Sequence, residues 1–420
     1  MSRVLPGWDL VSLNDLQADV PRAITDGPFG SNLTTAHYTD EGPRVVRLQN
    51  IGDGRFVDAH AHISEQHFES LRAHEVLAGD LLVASLGDDP PQACLAPSAL
   101  GPAIVKADCI RVRLAPSVDS RWVMYALQTP AVRRWASERM YGVGRPRLGL
   151  KTIRAIPIPL PPLEEQQRIV EILEDHLSRL DAATSSLSRT RRRLDRFKAS
   201  ALGATWSESD RLGDRLALEL VGDVITGATP RDRLSGAGAA RIPFVTPGDV
   251  GHGEVIGEVA RSMSLDSLPP GRVLRKPAVL AVCIGATLGK IGWTDRLVST
   301  NQQINALLIG NNLPAFVAAL MAAPEFQSQM RDRASATTMP ILNKGQFSKL
   351  QVPVPTPDDQ QRLLARLELM LESAQRQGEA AAAAEIRTKR LRQSLLAAAF
   401  SGRLTERGMD AEVDEELASV

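Results

Sequence analysis

One segment of this chain occurs twice, and that restricts its architecture more than any other feature. PLPPLEEQQR at 159–168 returns as PVPTPDDQQR at 353–362 without a gap. Weaker echoes flank it. VVRLQNIGDG at 45–54 matches FVTPGDVGHG at 244–253 in outline, and RRLDRFKASAL after Arg191 parallels KRLRQSLLAAAF at 389–400. The period, about 195 residues, is far longer than the roughly 20–50 residues of a solenoid repeat. Each unit is therefore the size of a domain, and the chain reads as two copies of a globular part followed by a helix.

The proline run marks each boundary. Pro157, Pro159, Pro161 and Pro162 hold the chain extended and forbid a helix before them. Glu164 and Glu165, and later Asp358 and Asp359 after Pro357, fall in a first helical turn, where the helix dipole favours negative charge. Beyond that point Leu173, Leu180, Leu187 and Leu194 recur every seventh residue, with Val170 and Leu177 in the companion position, as in a coiled-coil seam. Thr184, Arg191 and Lys198 interrupt the companion position later on. The second helix carries Leu364, Leu367, Leu371, Ala374, Ile386, Leu391 and Leu395, with an alanine-rich middle from Glu379 to Glu385 that lets a neighbour approach closely. About 40 residues at 1.5 Å each make a rod of roughly 60 Å. The first helix is acidic early (Glu164 to Asp181) and basic late (Arg189 to Lys198); the second is basic late (Arg387, Lys389, Arg390, Arg392). Antiparallel pairing sets acidic starts beside basic ends, so the two helices are expected to form an antiparallel coil.

Between the helices, short β-like runs (VVRLQN, DLLVAS, CIRVRL, AVLAVCIG, INALLIG) alternate with glycine turns, while 122–140 and 315–333 read as helical. Each globular part is thus α+β. Composition narrows the rest. No apolar run reaches the roughly 18–20 residues a bilayer span requires, so no membrane partner is expected, and the N-terminus lacks an apolar signal core. A cytoplasmic protein is the default. Cys94, Cys109 and Cys283 form neither a close pair nor a metal spacing, which fits a reducing compartment. The net charge of zero argues against indiscriminate polyanion coating but leaves room for local basic surface.

The sequence resembles the specificity subunits of type I restriction-modification systems along nearly its whole length. ITDGPFGSNL at 24–33 and VVRLQNIGDG look like the opening of a target-recognition domain, and ITGATPRD at 225–232 with IPFVTPGDVGHGEV plays that part in the second half. VLAVCIGATLGKIGW and STNQQINALLI are similar to a recurrent stretch of such domains. YGVGRPRLGLKTIRAIPIPLPPLEEQQRI and TTMPILNKGQFSKLQVPVPTPDDQQRL resemble the junctions into the family's central and distal helices, and KRLRQSLLAAAFSGRL resembles the end of the distal one. The resemblance implies a pseudo-twofold chain: two similar α/β target-recognition domains at 1–155 and 207–350, coiled-coil helices at 156–206 and 351–405, and an acidic, flexible tail at 406–420. It implies further that each domain reads one part of a bipartite, asymmetric double-stranded DNA target. The helices would act as a ruler and a dock for two methyltransferase (modification) subunits, with restriction/translocase subunits joining that core. No catalysis, cofactor or metal is expected of the chain itself. The first half has LGDDPPQACLAPSALGPAIV where the second has the glycine-lysine version, so the halves should recognise different DNA.

The residues independently allow for DNA. From Arg121 to Arg154 there are eight basic residues against one acid, Glu138. Arg133, Arg134, Arg139, Arg145, Arg147 and Lys151 lie among them, and Gly142, Gly144 and Gly149 interleave the last three. Arg331, Arg333, Lys344 and Lys349 occupy the parallel region of the second half. Lysine and arginine supply sequence-independent affinity by neutralising phosphates, and base discrimination needs side chains that reach base edges. Ser31, Asn32, Asn343, Lys344 and Lys290 are candidates on turns; Asn301, Gln302 and Gln303 are weaker ones. Each of these has an ordinary reading as exposed polar surface.

Three motifs fail on inspection. IGATLGK at 284–290 lacks the glycine at 284 and the Ser or Thr after the lysine that a phosphate loop requires. DDPP at 88–91 is followed by Gln92 instead of the aromatic an amino-methyltransferase needs. His60, His62, His67 and His74 have no cysteine nearby. The competing functions are a methyltransferase or nuclease with built-in target domains, and a coiled-coil adaptor that binds only proteins. The ruler reading makes a prediction: inserting about one turn in each helix, roughly 5–6 Å, should lengthen the unread DNA spacer by one or two base pairs at about 3.4 Å each. Mapping methylated sites for the lengthened protein checks this, and an unchanged spacer means that something else sets the distance.

Overall fold

The structure, a computed structural model, describes residues 5–87, 89–142, 144–229, 241–265, 268–269, 271–335 and 339–405. The expected acidic tail at 406–420, residues 230–232 of ITGATPRD and Asp88 of the DDPP motif lie outside them. By its contacts the chain divides into two units, Met1–Leu187 with Ala383–Val420, and Ser188–Ala382.

The duplication is visible in the strand topology of each unit. In the first, an antiparallel sheet has the order Ile24–Thr25, Cys109–Val112, Leu81–Ala84, Gln92–Leu95. In the second the same order reads Gly222–Thr226, Ile304–Ile309, Ala278–Val282, Ile291–Thr294, and His252–Val255 adds a parallel fifth strand. A second sheet follows in each unit. It runs His62–Ile63, Tyr38–Val46, Ala103–Val105, Glu75–Val76 in one, and Ser262–Ser264, Arg241–Val245, Val298–Thr300, Val273–Leu274 in the other. Its central pair is parallel both times, Val45 opposite Ile104 and Phe244 opposite Ser299. The strands Leu81–Ala84 and Ala278–Val282 are buried throughout, which is why both read as unbroken apolar runs. Each unit is α+β.

The stretches at 122–140 and 315–333 are not single helices. Each is two, Ser120–Gln128 with Pro130–Ser137 and Pro314–Ala322 with Pro324–Arg333. A proline at the first position of each second helix imposes the break, because the residue before proline is driven extended; Thr129 and Ala323 have ψ of 145° and 146°.

The repeated motif has a mechanical role. Its prolines form an edge ribbon, Asp9–Ser12 paired with Pro157–Leu160, and Asp214–Ala217 paired with Gln351–Val354. Its first glutamine is buried in both copies. Gln166 accepts from the Asp119 N–H at 3.0 Å and donates to the Pro161 carbonyl at 2.8 Å. Gln360 accepts from the Leu313 N–H at 3.1 Å and donates to the Pro355 carbonyl at 2.9 Å. One side chain thus ties the start of the long helix to the start of the preceding helix pair.

The long helices are Leu163–Leu212, which extends past the expected end at 206, and Pro357–Ala399. Past 206 the helix continues with Trp206 and Ser209 buried, and the Ser209 hydroxyl, donating to the Thr205 carbonyl at 2.7 Å, satisfies its own polar group there. In the first unit Val170, Leu173, Leu177 and Leu180 are buried in one core with Leu391 and Leu395, and Arg392 meets Asp181 at 3.2 Å. In the second unit Leu367 is buried with Ala201, and Arg366 meets Glu208 at 3.0 Å. In each unit, then, late residues of one helix meet early residues of the other: the pairing is antiparallel. Asp181–Arg392 has the polarity expected from the charge runs. Glu208–Arg366 has the reverse, since a local pair can oppose the average of its run. Leu187, Leu194, Leu364 and Leu371 are only half-buried, Leu363 lies deeper than Leu364, and Ile386 is exposed.

Helix ends complete the heads. Phe400 lies 4.1 Å from Trp122, which donates its indole N–H to the Pro159 carbonyl at 2.8 Å and stacks edge-on with Trp8 at 5.4 Å. In the second unit Trp206 shares a core with Phe316. The repeat sets position 206 against 400 and 122 against 316, so the duplication has exchanged the two aromatics. Gln166→Ala or Gln360→Ala should cost about 1–3 kcal/mol by leaving a buried N–H and carbonyl unpaired. Chemical denaturation of each variant checks this, and a loss below about 0.5 kcal/mol contradicts the role.

Candidate nucleic-acid interface

At one end of the first sheet in each unit the same four pieces of backbone converge. A glycine comes first: a Cβ on Gly27 would lie 2.1 Å from the Lys106 carbonyl carbon, and one on Gly227 would lie 2.0 Å from the Asn301 oxygen. Only glycine permits so close an approach. The second piece is the turn after the buried strand, starting at Ser85 or Cys283. The third precedes the last sheet strand: the Ser85 N–H donates to the Asp108 carbonyl (3.0 Å), and the Cys283 N–H to the Gln303 carbonyl (2.8 Å). The fourth returns from the helix pair. The Leu148 N–H donates to the Ser85 carbonyl at 2.9 Å and the Leu342 N–H to the Cys283 carbonyl at 2.8 Å. Single bridges Leu86–Arg147 and Ile284–Ile341 repeat the match. A short helix follows, Leu150–Arg154 or Lys344–Ser348.

The sequence candidates distribute unevenly over this scaffold. Arg147 and Arg145 sit on the returning segment, Arg145 exposed and Arg147 half-exposed; Gly142, at φ +115°, makes the turn before them. The Arg147 guanidinium lies 3.4 Å from Asp108 and 5.8 Å from the centre of the Tyr141 ring. Lys151 is exposed on the short helix. Ser31 and Asn32 are exposed on a 3-10 turn, Gly30–Asn32, beside the half-exposed Phe29; the Asn32 carbonyl is 2.9 Å from His67 Nε2. In the second unit Asn343 caps the short helix by accepting from the Gln346 N–H at 2.9 Å, which leaves Lys344 exposed at its first position. Lys290 closes the turn, its ammonium 3.4 Å from the Pro247 carbonyl.

Other basic residues are engaged within the fold. Arg133 bridges Asp53 at 2.5 Å and Asp89 at 2.6 Å, Arg121 pairs with Asp119 and Glu174, and Arg154 bonds Asn14 and the Ile24 carbonyl. Arg139 lies over Trp135 and bonds Glu138. Arg134 is exposed on the helix Pro130–Ser137. Arg331 and Arg333 end the second unit's helix pair, and Arg333 donates to the Lys349 carbonyl at 2.8 Å. The basic run from Arg121 to Arg154 is therefore not one continuous cationic surface.

Asp26, Asp108, Met339 and Ile341 also stand at this end of the sheets, with no motif in the sequence to mark them. Burial, and secondarily Asp108, pushes the Asp26 carboxyl up to about 6 although its backbone bond from Gly27 opposes this. Met339 and Ile341 occupy the positions of Arg145 and Arg147; the shared Pro-x-Leu, 146–148 and 340–342, could have aligned them. All three cysteines are buried and free, and burial pushes Cys94 and Cys283 up to about 12. Among the described residues no group of three or more His, Cys, Asp or Glu could hold a metal ion, and no helix is long and apolar enough to cross a membrane.

Two α+β heads with corresponding sheets, antiparallel helix pairing in each unit and matching loop sets of unlike side chains define an internally duplicated protein. The profile of the type I restriction modification DNA specificity domain matches residues 102–188 and 221–375, and the chain belongs to that family. It is 23% identical over 430 residues to the type I restriction enzyme EcoBI specificity subunit of Escherichia coli, covering 94% of this chain and 88% of that one. It is 22% identical over 173 residues to the MjaIX specificity subunit of Methanocaldococcus jannaschii, 38% of each chain. A solved chain from work on complex assembly and conformational transition of the type I R-M system superposes with a TM-score of 0.70 at 20% identity, covering 96% of this chain and all of that one. The family works in type I restriction-modification complexes with DNA, and its role there is sequence specificity, not catalysis.

A folded-state pKa above the unfolded value means that Asp26 disfavours folding once it ionises. Stability should therefore fall as pH rises from about 4 through 6. Asp26→Asn, which keeps an acceptor for the Gly27 N–H, should raise the apparent Tm at pH 8, with the gap closing toward pH 4. Melts at both pH values test this, and a gap that does not change with pH refutes it.

Proposed function

We propose that each head recognises one part of a two-part, asymmetric DNA target on behalf of two methyltransferase subunits, which dock on the paired helices, with restriction/translocase subunits joining that core. The observation that carries this reading is the pair of matching loop scaffolds. Their backbone bonds correspond one for one, while their side chains differ: Arg145 and Arg147 against Met339 and Ile341, Asp108 against Gln303. A protein that only bridged other proteins would have no need of two divergent sets of tips on one conserved frame. Exposed Arg145 and Lys151, and Lys344 in the other head, supply phosphate contacts that position the protein without reading sequence.

The test is the complex with its methyltransferase subunits, footprinted on genomic DNA. Two short protected patches with a fixed separation are expected; protection without a preferred bipartite sequence refutes the reading. Reversing charge at Arg145 and Lys151 together should weaken DNA retention by roughly 10-fold or more and lower its salt dependence, with subunit assembly intact. Unchanged DNA binding would favour a protein-only adaptor. Purified chain given DNA and a labelled methyl donor should transfer nothing.

A further inference from the structure

Arg147 and Ile341 hold one slot in two heads. Each is followed by a leucine whose N–H bonds the first residue of the turn after the central strand, Ser85 or Cys283, and each bridges the second, Leu86 or Ile284. Their surroundings differ in step. Arg147 stands over Tyr141 with Asp108 at 3.4 Å, a tether that aims a guanidinium fork. Ile341 has Gln303 in the position of Asp108, and that amide points to the Ile284 carbonyl at 3.5 Å, so no charge faces the slot from there. Ile341 is 41% exposed and its neighbour Met339 is 58% exposed, on a loop where Arg145 and Arg147 stand in the other head.

Resting on the reading of the heads as DNA readers, we propose that this slot selects one base in each half-site by opposite chemistry: Arg147 takes a guanine, and Ile341 takes a thymine through its methyl group. An arginine fork matches the O6 and N7 acceptors of guanine. An isoleucine offers neither donor nor acceptor, and the thymine C5 methyl is the apolar feature that the major groove presents. The acid at 108 belongs with the first chemistry, since it orients the arginine and would only repel phosphate beside an isoleucine.

The experiment uses the complex with methyltransferase subunits and a library of randomised duplexes. Wild type should select a two-part sequence with a G·C pair in the first part and a T·A pair in the second. Replacing the thymines of the second part by deoxyuridine, one at a time, should weaken binding roughly 4-fold at one position, the share that burying one methyl group supplies. Ile341→Ala should lose a similar factor on the thymine duplex and nothing further on the deoxyuridine duplex. At one guanine of the first part, 7-deazaguanine should do the same, and Arg147→Ala should remove that sensitivity. Deoxyuridine tolerated at every position, or an unchanged thymine preference in Ile341→Ala, overturns the assignment and leaves the two-part recognition standing. A wild-type complex that selects no sequence refutes the recognition itself. The deoxyuridine arm needs no variant, so a misfolded substitution does not leave the question open.

Discussion

Everything in this fold depends on apolar contact between a head and two helix ends. In the first unit Val170, Leu173 and Leu177 from the start of one long helix, and Leu395 and Leu396 from the end of the other, enter the same core as Trp122. Each fully buried leucine contributes about 1.5–3 kcal/mol. The exposed ion pairs along the helices, such as Asp181–Arg392, contribute at most about 1 kcal/mol each. Apolar burial therefore holds the helices, and charge trims their register. The largest core of each head is not complete until both helix ends have docked.

The buried glutamine of the repeated motif works at that joint. Its two bonds use the orphan N–H at the start of one helix and a carbonyl of the proline ribbon. Isolated, either group would be costly to bury; together they set the angle at which the long helix leaves the head. That both copies make the same bonds at nearly the same lengths indicates that this joint is what the duplication preserved. The tips differ in their side chains. At Arg147 and Ile341 the backbone bonds persist while the side chains change class, which is the difference on which the proposed two-part recognition rests.

Part of this is legible in the sequence. The heptad leucines, the proline boundaries and the alternation of apolar runs follow from local periodicity, and the antiparallel sense followed from charge, although Glu208–Arg366 runs against the average. The helix breaks at Pro130 and Pro324 could have been read and were hidden by the apolar runs around them. The candidate interface is less legible. Arg133 and Arg145 look alike in sequence, yet Asp53 and Asp89, distant along the chain, absorb Arg133, while Arg145 is left on an exposed turn. Ile341 carries no signal by itself, since an isoleucine before a leucine reads as core.

The sequence by itself determined that the chain is two copies of a head and a helix, where the copies join, and which family they belong to, because repeats, prolines and heptads act over short spans. Tertiary structure alone decided which cations remain exposed, which carboxyl is pushed up by burial, and which residues of the two heads share a slot. Those depend on groups brought together from far along the chain, and no local pattern records who the neighbours will be.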